Sequence, residues 1–163
     1  MKALFALMLG VALSTSIVTD FSGQWTAEVP AANTPGDMGS GWGSQIAITQ
    51  DERQLVVEQP LFSRYDLQPP VRTVYALDGS PSRNAVMTGH ATQERVSRAR
   101  WEGEALVIAT SYPAVDPGTG KPFTTEVSHR LTLDATGVLV IEVTRSGALG
   151  GKPIVTRTLY RKK

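Results

Sequence analysis

The chain has 163 residues, 41% of them hydrophobic and 19% charged, with a formal net charge of +1 and no cysteine. A charge this close to zero gives no electrostatic case for nucleic acid or an anionic membrane surface as partner. A domain of this size can carry a real core, and without cysteine that core must hold the fold with no disulfide.

The first segment reads as a leader. Lys2 precedes an apolar run from Ala3 to Leu13, and Ser14 and Ser16 supply the small residues of a cleavage site. The run is far shorter than the about 20 residues a spanning helix needs, and no second apolar stretch reaches that length. With no cysteine there is also no point for a lipoprotein anchor. The expected organisation is a signal peptide over 1–16 and one domain over 17–163, periplasmic or secreted, with no integral membrane segment.

Ten strands are expected after the leader, at 23–29, 43–50, 54–59, 71–78, 84–88, 94–102, 105–111, 123–134, 138–145 and 153–161. The signal is period-2 alternation with β-branched and aromatic enrichment. Trp25 and Ala27 share one face against Gln24, Thr26 and Glu28, and Val127, His129, Leu131 and Leu133 oppose Glu126, Ser128, Arg130 and Thr132. Short polar or glycine turns follow at 51–53, 103–104 and 134–137, and a slightly longer one at 79–83. Long Gly- or Pro-rich connections lie at 30–42, 60–70, 112–122 and 146–152.

Long and tight connections alternate, so in an up-and-down meander the long ones share one mouth and the tight ones the other end. The predicted fold is all-β, an antiparallel up-and-down β-barrel of eight to ten strands. The parity depends on a hairpin around Gly89, His90 and Ala91. One unbroken strand over 84–102 would make a two-sheet sandwich equally compatible.

Few motifs carry chemistry. His90 and His129 are the only histidines, and no His-x-x-x-His spacing occurs. A lone inward His129 reads as a pocket residue hydrogen-bonded to a neighbour, and a metal or catalytic role with His90 and Glu94 is the weaker reading. Strict parity puts Arg95 on the face of Ser97, Ala99 and Trp101, where a guanidinium would need an anion. The scarcity of buried arginine favours instead a frayed strand start with Arg95 in solvent. Residues 116–121 look like a phosphate loop but lack the Gly-Lys-Ser/Thr ending, and no Gly-x-Ser-x-Gly elbow occurs. No catalytic residue, cofactor or metal site is therefore expected.

Phe21-Ser22-Gly23-Gln24-Trp25 opens the domain, and its Gly-x-Trp resembles the signature of the lipocalins and wider calycins. The resemblance implies that the Trp closes one barrel end under an Arg of the last strand, here Arg157 or Arg161. The lipocalin Thr-Asp-Tyr motif is missing. Most of the domain also resembles a group of small, exported, lipocalin-like bacterial proteins. The residues that carry this likeness are Tyr75-Ala76-Leu77-Asp78-Gly79, the hairpin Trp101-Glu102-Gly103-Glu104-Ala105-Leu106-Val107-Ile108, and Leu133-Asp134-Ala135-Thr136-Gly137-Val138. This resemblance implies a compartment and a fold, and no activity.

A barrel of this size can hold one small ligand. The expected function is non-catalytic binding of a small hydrophobic or amphipathic molecule at the long-loop mouth. Tyr75, Trp101, Tyr112 and His129 are the expected wall, and Trp42 and Phe62 the expected lid. The alternative is a periplasmic interaction or structural protein with a filled barrel, where Trp42, Phe62 and Tyr65 form a protein-contact surface. The leader itself is testable: N-terminal sequencing of the exported protein should find cleavage after Ser16, and an intact Met1 would overturn it.

Overall fold

The computed structural model describes residues 18–28, 40–62, 67–88, 91–146 and 151–163. The leader, most of the first long connection, Tyr65 and His90 lie outside the described residues. The described strands are β1 (Gly23–Ala27), β2 (Gln45–Gln50), β3 (Gln54–Phe62), β4 (Leu67–Ala76), β5 (Ser82–Thr88), β6 (Ala91–Glu102), β7 (Ala105–Val115), β8 (Pro122–Leu133), β9 (Leu139–Arg145) and β10 (Ile154–Lys162). They form one antiparallel sheet in the order β4-β3-β2-β1-β10-β9-β8-β7-β6-β5. The pairing of β1 with β10 joins the two halves, and β4 and β5 face each other across a seam, so the sheet is a nearly closed barrel. Among the described residues no helix is long and apolar enough to cross a membrane.

The uncertain region is a hairpin, with Thr88 opposite Ala91, so the meander parity holds. Trp42 and the β7–β8 turn lie at one end, and the β4–β5, β6–β7 and β8–β9 turns at the other. The tight turns are made by local chemistry. Gly103 takes a φ of +64°, open to glycine at little cost, in a two-residue β6–β7 turn. Asp51, Asp78 and Asp134 each accept backbone N–H bonds from the turn they open. All three carboxyls lie below their usual range, led by the Arg53 backbone N–H at Asp51 and by the side-chain hydroxyls of Ser80 at Asp78 and Thr136 at Asp134, with the backbone bonds adding to these.

Two expectations about the long connections are corrected. Residues 60–62, 67–70, 112–115 and 122 belong to strands, so the hairpins reach further at the mouth than the sequence suggests. In β3 and β4 proline did not stop the strands because Pro60 sits opposite Pro69 and Pro70 at a register shift between Gln59 and Leu61. A bulge needs no ladder donor there. Pro113 and Pro122, in contrast, keep the regular β7–β8 register.

The inward faces explain where the core sits. Toward the tight-turn end they carry Leu55, Val57, Leu106, Ile108, Leu131, Leu139 and Ile141, all fully buried. Toward the mouth the same faces become polar: Ala99 gives way to Ser97, Ile108 to Thr110, and Leu131 to His129. The core thus fills one half of the barrel.

The tight-turn end is plugged. Phe21 stacks on Trp101, with centroids 6.0 Å apart and planes 7° apart. The Trp25 indole is buried and donates its Nε1–H to the Phe21 carbonyl at 3.0 Å. The cation over Trp25 is Lys162, 5.5 Å from the ring centroid, and not Arg157 or Arg161. The register explains the change: Trp25 pairs with Lys162, while Arg161 is one residue out of step and pairs with Glu28. Trp25→Ala should destabilise the protein by about 3–5 kcal/mol in denaturant melts, and a loss below about 1 kcal/mol would show that Trp25 is outside the core.

Candidate functional site

Above the aliphatic layer the barrel holds a cavity of about 420 Å³. Its walls come from β3 to β9 and from residues 40–42. The sequence reading expected Trp42 as a lid. The structure instead buries it to 4% exposure, as part of the cavity wall.

The reason is a set of bonds from distant strands to the short segment before β2. Tyr160 donates its hydroxyl to the Gly43 carbonyl at 2.6 Å and lies 2.5 Å from Ser40 Oγ. Ser40 Oγ also accepts the Trp42 N–H at 3.1 Å. The Ser40 carbonyl accepts the His129 Nε2–H at 2.9 Å. Held this way, Trp42 stacks on His129 (4.9 Å, 11°) and on Tyr75 (6.2 Å, 28°). These three rings are the aromatic side of the cavity.

The remaining wall mixes Val71, Val86 and Val127 with polar groups. Ser97 and Thr110, both buried, share a hydrogen bond of 2.8 Å across β6 and β7. Asn84 turns its carboxamide to the seam, where it donates to the Val74 carbonyl and accepts the Val74 N–H, each at 2.9 Å. Ser82 Oγ accepts the Ala76 N–H at 2.7 Å on the same seam. Arg145 reaches Thr156 Oγ1 at 3.0 Å and also lines the cavity.

Arg95 corrects the sequence reading, which had favoured solvent. Its guanidinium faces inward and lies 4.6 Å from the Tyr112 ring centroid. The alternation along β6 decided its direction. The prior against buried arginine did not, because a concave wall can take a cation without burying it fully.

Of the six expected ligand residues, the structure gathers Trp42, Tyr75, Tyr112 and His129 around this cavity. Trp101 is elsewhere. It faces inward but at the tight-turn end, stacked on Phe21 and bordering a different hollow of about 440 Å³. That hollow lies beside exposed Val18, Asp20, Asp51 and Glu52 and is a surface feature. The backbone of Phe62 ends β3 opposite Leu67, and its side chain lies outside the described residues. The sequence reading missed Ser97, Thr110 and Arg145 as wall residues. The signal that finds them is the change from aliphatic to polar along inward parity, at one height on neighbouring strands.

The electrostatics follow from burial. Burial pushes the Tyr75 phenol above its ordinary value, so it stays protonated. Burial likewise pushes His129 down to about 4, opposed by its bond to the Ser40 carbonyl and helped by the Arg145 charge. His129 is therefore neutral near pH 7, and its buried Nδ1 has no hydrogen-bond partner among the described residues. No group of three or more His, Cys, Asp or Glu that could hold a metal ion occurs among them either.

The His129 shift fixes a pH dependence. Its folded value is depressed, so the unfolded chain takes up the proton first as pH falls. Stability is full above about 6.5 and is lost as pH falls toward about 4. His129→Phe lacks that loss. The stability advantage of the wild type over the variant should shrink by about 3 kcal/mol between pH 7 and pH 4 in denaturant melts. Parallel profiles would contradict a buried neutral histidine.

No protein-family model matches this chain, and a search of curated proteins finds no match to it.

Proposed function

We propose that this protein binds a small, partly apolar molecule in the mouthward half of its barrel, without catalysis, in the periplasm or outside the cell. The observation that carries this reading is the cavity of about 420 Å³ beside Trp42, Tyr75, Tyr112 and His129. Small-molecule sites are concave, largely preformed and lined by aromatic groups with a few placed polar ones. The wall is preformed here because Tyr160, Ser40 and His129 fix the Trp42 segment. A non-catalytic role agrees with His129, whose one hydrogen-bonded nitrogen is engaged by a backbone carbonyl and not by a carboxylate.

The exported location rests on the leader pattern over 1–16, and the likeness to exported lipocalin-like proteins rests on the Gly23-Gln24-Trp25 opening and the Trp101 hairpin. Native mass spectrometry of protein purified from its own host tests the function. It should show a mass above that of the chain alone, returning to the chain mass on denaturation. A ligand-free mass, with no small molecule in an organic extract of the same sample, would overturn the reading in favour of a protein-contact role.

A further inference from the structure

Arg95 has a cost that nothing described in the protein offsets fully. Its Nε is buried and finds no hydrogen-bond acceptor among the described residues. The Tyr112 ring lies 4.6 Å from the guanidinium carbon and compensates part of the lost hydration of the charge. A ring face, however, offers the Nε–H no oxygen. No Asp or Glu among the described residues lines the cavity, whereas Arg145 adds a second guanidinium to it. The cavity is therefore electropositive inside a chain whose net charge is only +1. Cations withdrawn from water are ordinarily met by an anion, and a guanidinium by a planar, forked one.

We propose that the ligand of this cavity is a small organic monoanion, a carboxylate on an apolar or aromatic body. Its carboxylate sits on the Arg95 guanidinium and its body against Trp42 and Tyr75. The inference rests on the binding function proposed above and names the ligand class for the same site. A carboxylate is placed on Arg95 because its two oxygens match the forked donors of one guanidinium, and Arg145 already donates one N–H to Thr156.

Naphthoate and its neutral isostere naphthamide separate the two claims, since they share shape and apolar area and differ in charge. Isothermal titration of the mature protein should show naphthoate binding about tenfold or more tightly than naphthamide. Arg95→Gln should weaken naphthoate by about tenfold and change naphthamide by less than about twofold, while Arg95→Lys keeps part of the preference. Added salt should weaken naphthoate alone. Equal binding of the two probes by the wild type, or an equal loss of both in Arg95→Gln, would overturn the anion inference and leave apolar binding standing. Failure of both probes to bind would overturn both readings. If Arg95→Gln does not fold, the preference of the wild type and its salt dependence decide the matter.

Discussion

Everything in this molecule depends on closing a ten-stranded sheet, and it closes in two different ways. On one side β1 and β10 pair as an ordinary antiparallel ladder. On the other, β4 and β5 carry no ladder, and the join is made by side chains. Asn84 does for Val74 what a strand neighbour would do, because a carboxamide carries the same donor and acceptor as a peptide group. Asn84 is 8% exposed, so the groups it meets are shielded from water. Leaving Val74 N–H and C=O unpaired there would cost about 1–3 kcal/mol each. The same residue lines the cavity, together with Thr73 on β4. The side wall of the cavity therefore exists only while the seam is shut.

Within the closed barrel the two ends have different tasks. The tight-turn end carries the stability. Trp25, Phe21, Leu55, Leu106, Ile108 and Leu131 are fully buried, and each such large apolar side chain contributes about 1.5–3 kcal/mol. The mouth end gives up much of that gain by facing inward with hydroxyls, a neutral histidine and two guanidiniums. It is kept in shape by hydrogen bonds instead of apolar packing: Ser97 to Thr110, Ser40 to Tyr160, and His129 to the Ser40 carbonyl. A chamber framed by fixed polar partners is suited to a ligand that must be oriented as well as enclosed.

The strands and the direction of the hairpins were legible in the sequence because both are local. Alternation set which side chains of β6 and β8 face inward, and Asp134 and Gly103 marked their turns. What was not legible depends on segments far apart in the chain. The burial of Trp42 is decided by Tyr160 on the last strand, and the cation over Trp25 by a one-residue register between β1 and β10. Parity gave Trp101 the right face, but height along the barrel separates it from the cavity, and alternation carries no information about height. The Pro-rich segments misled for a related reason. Pro60 is compatible with a strand only because Pro69 and Pro70 lie opposite, a pairing that no local signal announces. Arg95 was misread where an average preference for exposure was set against a geometric rule, and the geometric rule won.

The most direct test of this account is amide hydrogen exchange at Val74. Its N–H points into the seam, where the only strand-like partner among the described residues is the Asn84 side chain. Protection at Val74 should match that of the ladder amides of β3, and Asn84→Leu should abolish it while amides of the β1–β10 ladder stay protected. Exchange of Val74 at the rate of an unprotected peptide in the wild-type protein would contradict the side-chain closure on which the barrel and its chamber rest.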